Sequence, residues 1–139
     1  MNDADVRKAT ILVVDDNPTN LNVLSDCLTD YGFTVLVKKD GEKALALMDR
    51  KLPDIILLDI LMPKMDGYET CSRLKSRETT RDIPVIFMTA LSETVDKLKG
   101  FELGAVDYIT KPFHQEEVLA RVKAHITIQS LKKNLQKRV

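Results

Sequence analysis

Four short, mostly apolar runs constrain the fold of this chain more than any other feature: Thr10 to Val14, Asp54 to Leu58, Pro84 to Met88 and Val106 to Ile109. Each is too short for a buried helix. None shows the sustained apolar–polar alternation of a strand with one wet face. Continuous apolar runs of this length mark strands covered on both faces, as in parallel sheets. Thr34 to Val37 is a fifth and weaker run.

Segments of helical period separate the runs. Pro18 stands near a helix start, and Leu21, Leu24 and Leu28 recur at three- and four-residue steps until Tyr31-Gly32 stops them. Ala44, Leu45 and Met48 repeat the pattern before Pro53. Tyr68, Cys71 and Leu74 follow Asp66-Gly67, and Val95, Leu98 and Phe101 with Glu102 lead to Gly104. Strand and helix thus alternate five times, which predicts an α/β, doubly wound parallel sheet with helices on both faces. Such sheets bind ligands outside the carboxyl ends of their strands, near the point where strand order reverses. Functional residues are therefore expected immediately after strands.

The bulk properties suit one globular domain of 139 residues, with 44% hydrophobic and 30% charged residues. A formal net charge of zero leaves no broad basic field for a nucleic-acid backbone, so no direct nucleic-acid contact is expected. No stretch reaches the roughly 18 apolar residues of a membrane span, and the first residues lack a basic-then-apolar leader. A cytoplasmic protein without a membrane contact is the expectation. Cys27 and Cys71 have neither metal-like nor redox-like spacing and read as reduced thiols in or near the core.

Val13-Val14-Asp15-Asp16-Asn17 puts two carboxylates after the first run, and Leu57-Leu58-Asp59 puts a third after the second. Three neighbouring carboxylates repel one another unless a cation neutralises them, and all-oxygen ligation with room for water suits Mg²⁺ better than zinc. The plainer explanation, that Asp16 or Asn17 caps the next helix, accounts for one strand end alone. Thr89 in Met88-Thr89-Ala90 and Lys111 in Thr110-Lys111-Pro112-Phe113 stand at the remaining ends. An ammonium and a hydroxyl converging on carboxylates form an arrangement for handling a phosphoryl group, with a carboxylate as nucleophile.

These segments, together with Leu57 to Gly67 and Asp107 to Phe113, resemble the response-regulator receiver family of two-component signalling, from about Ala9 to about Leu131. The resemblance implies a flavodoxin-like sheet of order 2-1-3-4-5 and a phospho-acceptor at Asp59. It implies Mg²⁺ held by Asp16, Asp59 and the backbone carbonyl of Leu61, with Asp15 acting through a metal-bound water. Lys111 would pair with Asp59 and then with the phosphate. Thr89 and Ala90 would meet the phosphoryl group, and Tyr108 would turn inward as Thr89 moves, altering the face of the fourth helix, fifth strand and fifth helix. Pro112 would follow a cis peptide bond. The implied donor is a histidine kinase or phosphotransfer protein, and the implied receiver of the signal is an output domain or effector. The residues Leu61 and Leu91 would flank the water that removes the phosphoryl group. The Asp15 to Asn20 opening resembles receivers of hybrid kinases and multidomain regulators, including those attached to cyclic-nucleotide-producing domains.

A dedicated magnesium-dependent phosphohydrolase would place an acid two residues after its nucleophile, where this chain has Leu61. A phosphorylation-independent binding module would be expected to lose an acidic or lysine position. The expectation is a signalling switch that catalyses only its own phosphoryl transfer and dephosphorylation. Met62-Pro63 and Asp66-Gly67 read as turns, and His114 and His125 as solvated or capping residues. The chain divides into a polar lead (1–8), a receiver domain (9–127) and an extended helix (128–139). Leu119, Val122 and Ile126 should dock on the sheet. Ile128, Leu131 and Leu135, among Lys132, Lys133, Lys137 and Arg138, form a seam suited to a linker or a homodimer through the C-terminal helix.

Overall fold

In the computed structural model, which describes residues 6–90 and 96–137, five parallel strands form one sheet in the order β2-β1-β3-β4-β5. The strands are β1 (Thr10–Val14), β2 (Thr34–Lys38), β3 (Ile55–Asp59), β4 (Val85–Ala90) and β5 (Asp107–Lys111). Between and after them run α1 (Pro18–Tyr31), α2 (Gly41–Leu47), α3 (Gly67–Ser76), α4 (Lys97–Glu102) and α5 (Gln115–Lys137). Class and strand order match the expectation.

The strands are apolar throughout because each feeds two cores. Leu12, Val14, Ile56, Leu58, Val85 and Phe87 point to one face, where Ala44 and Leu45 of α2 and Cys71 and Leu74 of α3 cover them. Their neighbours Ile11, Val13, Ile55, Leu57, Ile86 and Met88 point to the other, under Leu21, Leu24 and Leu28 of α1 and Val118, Val122 and Ile126 of α5. Side chains alternate faces along a strand, and each fully buried leucine contributes about 2 kcal/mol. Val6, within the lead, is buried in the second core. β2 is the weak run because it is an edge strand, with Thr34 and Val37 exposed.

Three details differ from the sequence reading. β3, β4 and β5 run one or two residues further than their apolar stretches, so Asp59, Thr89 and Lys111 lie within the ladder rather than after it. Val118 leads the buried stripe of α5 and Leu119 packs at its margin. In α4 the apolar side chains turn outward, with Leu98 66% and Phe101 48% exposed, and the buried residue is Gly100. A Cβ there would collide with the Tyr108 hydroxyl and approach Phe87 to 3.0 Å. Val95, which completed that pattern, lies outside the described residues.

Candidate phospho-acceptor site

The register aligns the carboxyl ends of the three central strands and β5. Val14 pairs with Leu58, Asp59 with Met88, and Ala90 with Lys111. Asp15, completely buried, accepts the Asn17 amide on Oδ1 at 2.9 Å and the Asn20 side-chain amide on Oδ2 at 3.3 Å. Asn17 is the N-cap of α1: its Oδ1 accepts from the Thr19 and Asn20 amides, and Pro18 opens the helix. Asp16 remains exposed, and ligand oxygens of Asp15, Asp16 and Asp59 lie within 4.8 Å of one another.

The Lys111 ammonium lies 3.2 Å from Asp59 Oδ1 and 3.3 Å from Asp15 Oδ2. Asp59 Oδ1 is nevertheless buried without a hydrogen bond. Burial, and then the negative charge of Asp15, push the Asp59 carboxyl up to about 7 against the opposing pull of Lys111. Burial disfavours the Lys111 ammonium, but the charges of Asp59 and Asp15 outweigh it and raise the lysine's pKa. Asp15 and Asp59 thus share one ammonium, and Asp16 adds a third carboxylate beside them. An all-oxygen donor set, excess negative charge and an orphaned Asp59 oxygen fit a hard divalent cation. Asp15 is the least available direct donor, since protein groups engage both its oxygens.

The loop after β3 has a different logic from the one its sequence suggested. Lys64, at φ 65°, takes the left-handed conformation. Gly67 opens α3, where a Cβ would overlap the Asp59 carbonyl oxygen and lie 2.8 Å from Ile60 Cα. Close approach, not a tight turn, is what requires glycine there. Asp66 caps α3 by accepting the Glu69 amide. The Leu61 side chain is 54% exposed, and Leu91 falls outside the described residues.

Thr89 is 3% exposed and pairs with Thr110 across the ladder. Tyr108, three residues before Lys111, is turned inward between the Phe87 and Phe101 rings, and its hydroxyl donates to the Lys97 carbonyl at 3.0 Å. Burial raises its pKa to about 12, so the phenol stays a donor. The Lys111–Pro112 peptide bond is cis, as anticipated.

Four side chains with partners in the fold escaped the sequence reading. Asn20 donates to Asp15, and Tyr68 donates to the Asp96 carbonyl at 3.2 Å. His125, expected to be solvated or capping, lies 2.9 Å from Asp107 Oδ2, while Arg121 reaches Asp107 Oδ1 at 2.7 Å. Arg121 and His125 are one helical turn apart, which is the one local signal for that cluster; Asp107, from another element, has none.

The chain matches the profile of the response regulator receiver domain over residues 11–123 and belongs to that family. It is 47% identical over 114 residues to the DNA-binding dual master transcriptional regulator RpaA of Synechocystis sp., covering 82% of this chain and 47% of that protein. Identity to the response regulator PleD of Caulobacter vibrioides is also 47%, over 116 residues that cover 84% of this chain and 26% of PleD. The chain therefore spans about half or less of the length of these relatives. The solved receiver domain of the Pseudomonas aeruginosa sensor histidine kinase PA1611 superposes with a TM-score of 0.79 at 32% identity, covering 86% of this chain and 98% of that one. That structure carries a magnesium ion coordinated in its active site cleft. The acidic cluster of Asp15, Asp16 and Asp59 is the feature of this chain consistent with a phospho-acceptor site. Among the described residues no helix is long and apolar enough to cross a membrane.

Proposed function

We propose that the chain accepts a phosphoryl group on Asp59 from a phosphohistidine of a kinase or phosphotransfer protein and relays the change to an output domain or effector in the cytoplasm. The observation that carries this reading is Asp59 Oδ1, buried, without a hydrogen bond, and 3.2 Å from Lys111. An oxygen in that state gives up no hydrogen bond before it attacks, and Lys111 stands beside it.

In the transfer, an Asp59 oxygen bonds to phosphorus as the phosphorus–nitrogen bond to the donor imidazole breaks, and that nitrogen keeps the electron pair. Lys111, already beside Asp59, neutralises a phosphoryl oxygen as negative charge spreads onto it. The Thr89 hydroxyl and the Ala90 amide hold another. Asp16, Asp59 and the Leu61 carbonyl would hold Mg²⁺, with Asp15 meeting it through water. The cation supplies charge neutralisation between the incoming phosphoryl group and the acidic cluster. Asp15, fixed by Asn17 and Asn20, keeps Lys111 in place. Thr89 and the inward Tyr108 bias the face of α4, β5 and α5 between two states.

Residues 9–127 form the working unit in this reading, with 1–8 as its lead and 128–139 continuing α5 as a linker or a homodimer seam. The exposed stripe of Ile128, Leu131 and Leu135 on an unbroken helix supports that role. The test is labelling by a small phosphodonor with Mg²⁺: the wild type takes label and Asp59→Ala does not. Equal label in both overturns the assignment.

A further inference from the structure

α4 buries only Gly100 among its described residues, and its Phe101 ring meets Tyr108 edge-on. Leu98 and Phe101 are exposed and Gly100 presents no side chain. Its first turn is instead held by two phenols that donate to consecutive carbonyls. Tyr108 reaches Lys97 at 3.0 Å and Tyr68 reaches Asp96 at 3.2 Å. The Asp96 carbonyl also accepts the Gly100 amide at 3.3 Å, so Tyr68 acts on the hydrogen bond that opens the helix. The Lys99 ammonium stands 4.7 Å from the centre of the Tyr68 ring, and that ring meets Phe87 edge-on at 5.4 Å. Tyr108 already has a place in the proposed switch; Tyr68 has none.

Tyr68 differs from Tyr108 in what lies behind it. Its neighbour Gly67 donates its amide to the Ile60 carbonyl at 2.7 Å, with no room for a Cβ between them and the Asp59 backbone. The start of α3 cannot stay still if the Asp59–Ile60 backbone shifts, because close-packed contacts transmit displacement rather than absorb it. We propose that Tyr68 is a positioning residue of the switch, carrying the state of the loop after Asp59 to the first turn of α4. It forms a second route beside Thr89 and Tyr108. This inference rests on the acceptor reading and extends it: both routes end on adjacent carbonyls, so α4 responds fully only when loop and strand agree.

The test uses the full chain as wild type, Tyr68→Phe, Tyr108→Phe and the double variant. Each is assayed for label at Asp59 and for amide exchange across α4, before and after phosphorylation by acetyl phosphate with Mg²⁺. Tyr68→Phe should take label at the wild-type rate, keep its thermal midpoint, and show a phosphorylation-dependent change at Gly100 and its neighbours that is roughly fivefold smaller. The double variant should depart from the product of the single effects, since the two phenols share one helical turn. Tyr68→Leu, which removes the ring as well, should lose at least as much. Wild-type response of α4 in a labelled Tyr68→Phe chain overturns the second route and leaves the acceptor reading standing. A wild type that takes no label overturns both.

Discussion

The two edges of the sheet each carry an aspartate-centred ion cluster, and they are built to opposite ends. At the amino edge, Asp107 receives Arg121, His125 and the Tyr108 amide. Burial works to raise its carboxyl, but the hydrogen bonds from His125, Tyr108 and Arg121 outweigh that and hold it below the ordinary range. At the carboxyl edge, Asp15 and Asp59 share Lys111, Asp16 stands beside them, and the Asp59 carboxyl is pushed up to about 7. A satisfied cluster stabilises what is already there. An unsatisfied one, kept at a cost to stability, is a place for something to arrive.

The contrast is broken most severely at Asp16, an exposed member of the unsatisfied cluster that makes no ion pair among the described residues. Asp16→Ala should weaken Mg²⁺ binding by more than about tenfold in a calorimetric titration, whereas Asp107→Asn should leave it unchanged. Equal affinity in wild type and Asp16→Ala would count against the site.

Stability against pH separates the clusters next. With its carboxyl raised to about 7 from an ordinary 3.8, Asp59 keeps its proton in the folded chain after the unfolded chain has lost it. The native state therefore binds more protons within that window, and stability falls as pH rises through it. The fall is on the order of a few kcal/mol. Urea midpoints without Mg²⁺ near about pH 5 and about pH 8 should show it in the wild type, and Asp59→Asn should flatten it. An unchanged slope in Asp59→Asn would place the effect elsewhere. Asp107 has the opposite sign. Its lowered carboxyl contributes stability above its unfolded pKa, and that contribution is lost as pH falls through the folded one. Partial exposure limits it, so Asp107→Asn should cost about 1 kcal/mol near neutral pH by urea unfolding.

The smallest effect concerns how long a phosphoryl group stays at the carboxyl edge. Leu61 and Leu91 can neither hydrogen-bond nor orient an attacking water, so the wild-type acyl phosphate should be long-lived. Leu61→Asn with Leu91→Glu should speed its loss by several-fold, on the order of what one positioned water contributes. Equal or slower loss would show that water access is set by other residues.

The acidic cluster was legible in the sequence because its residues sit at strand ends, and strand ends are where apolar runs stop. β1, β3 and β4 announce themselves by being buried on both faces; β2 does so faintly because an edge strand is not. The helical period misled at α4, where Gly100 faces the core so that Tyr108 can approach it. A stripe of apolar residues says that one face is apolar, not that it faces inward. Asn20 lay unread in a segment whose capping chemistry masked its second bond. Tyr68 and Asp96 are 28 residues apart, and nothing local links them. Pairings made by the fold, rather than by spacing along one element, stay silent until the sheet is assembled.

α5 is one helix from Gln115 to Lys137, and its buried stripe ends at Ile126. The part beyond Ile126 is a lever about 16 Å long at 1.5 Å per residue. A tilt of about 5° where α5 rests on the sheet moves its far end by roughly 1.4 Å, more than the tilt moves the point of rest itself. The same geometry gives the arm a phase, since each residue turns it by about 100°. A reporter domain fused there through two extra helical residues would be carried about 200° round the axis, and through seven extra residues it would return within about 20° of its starting face.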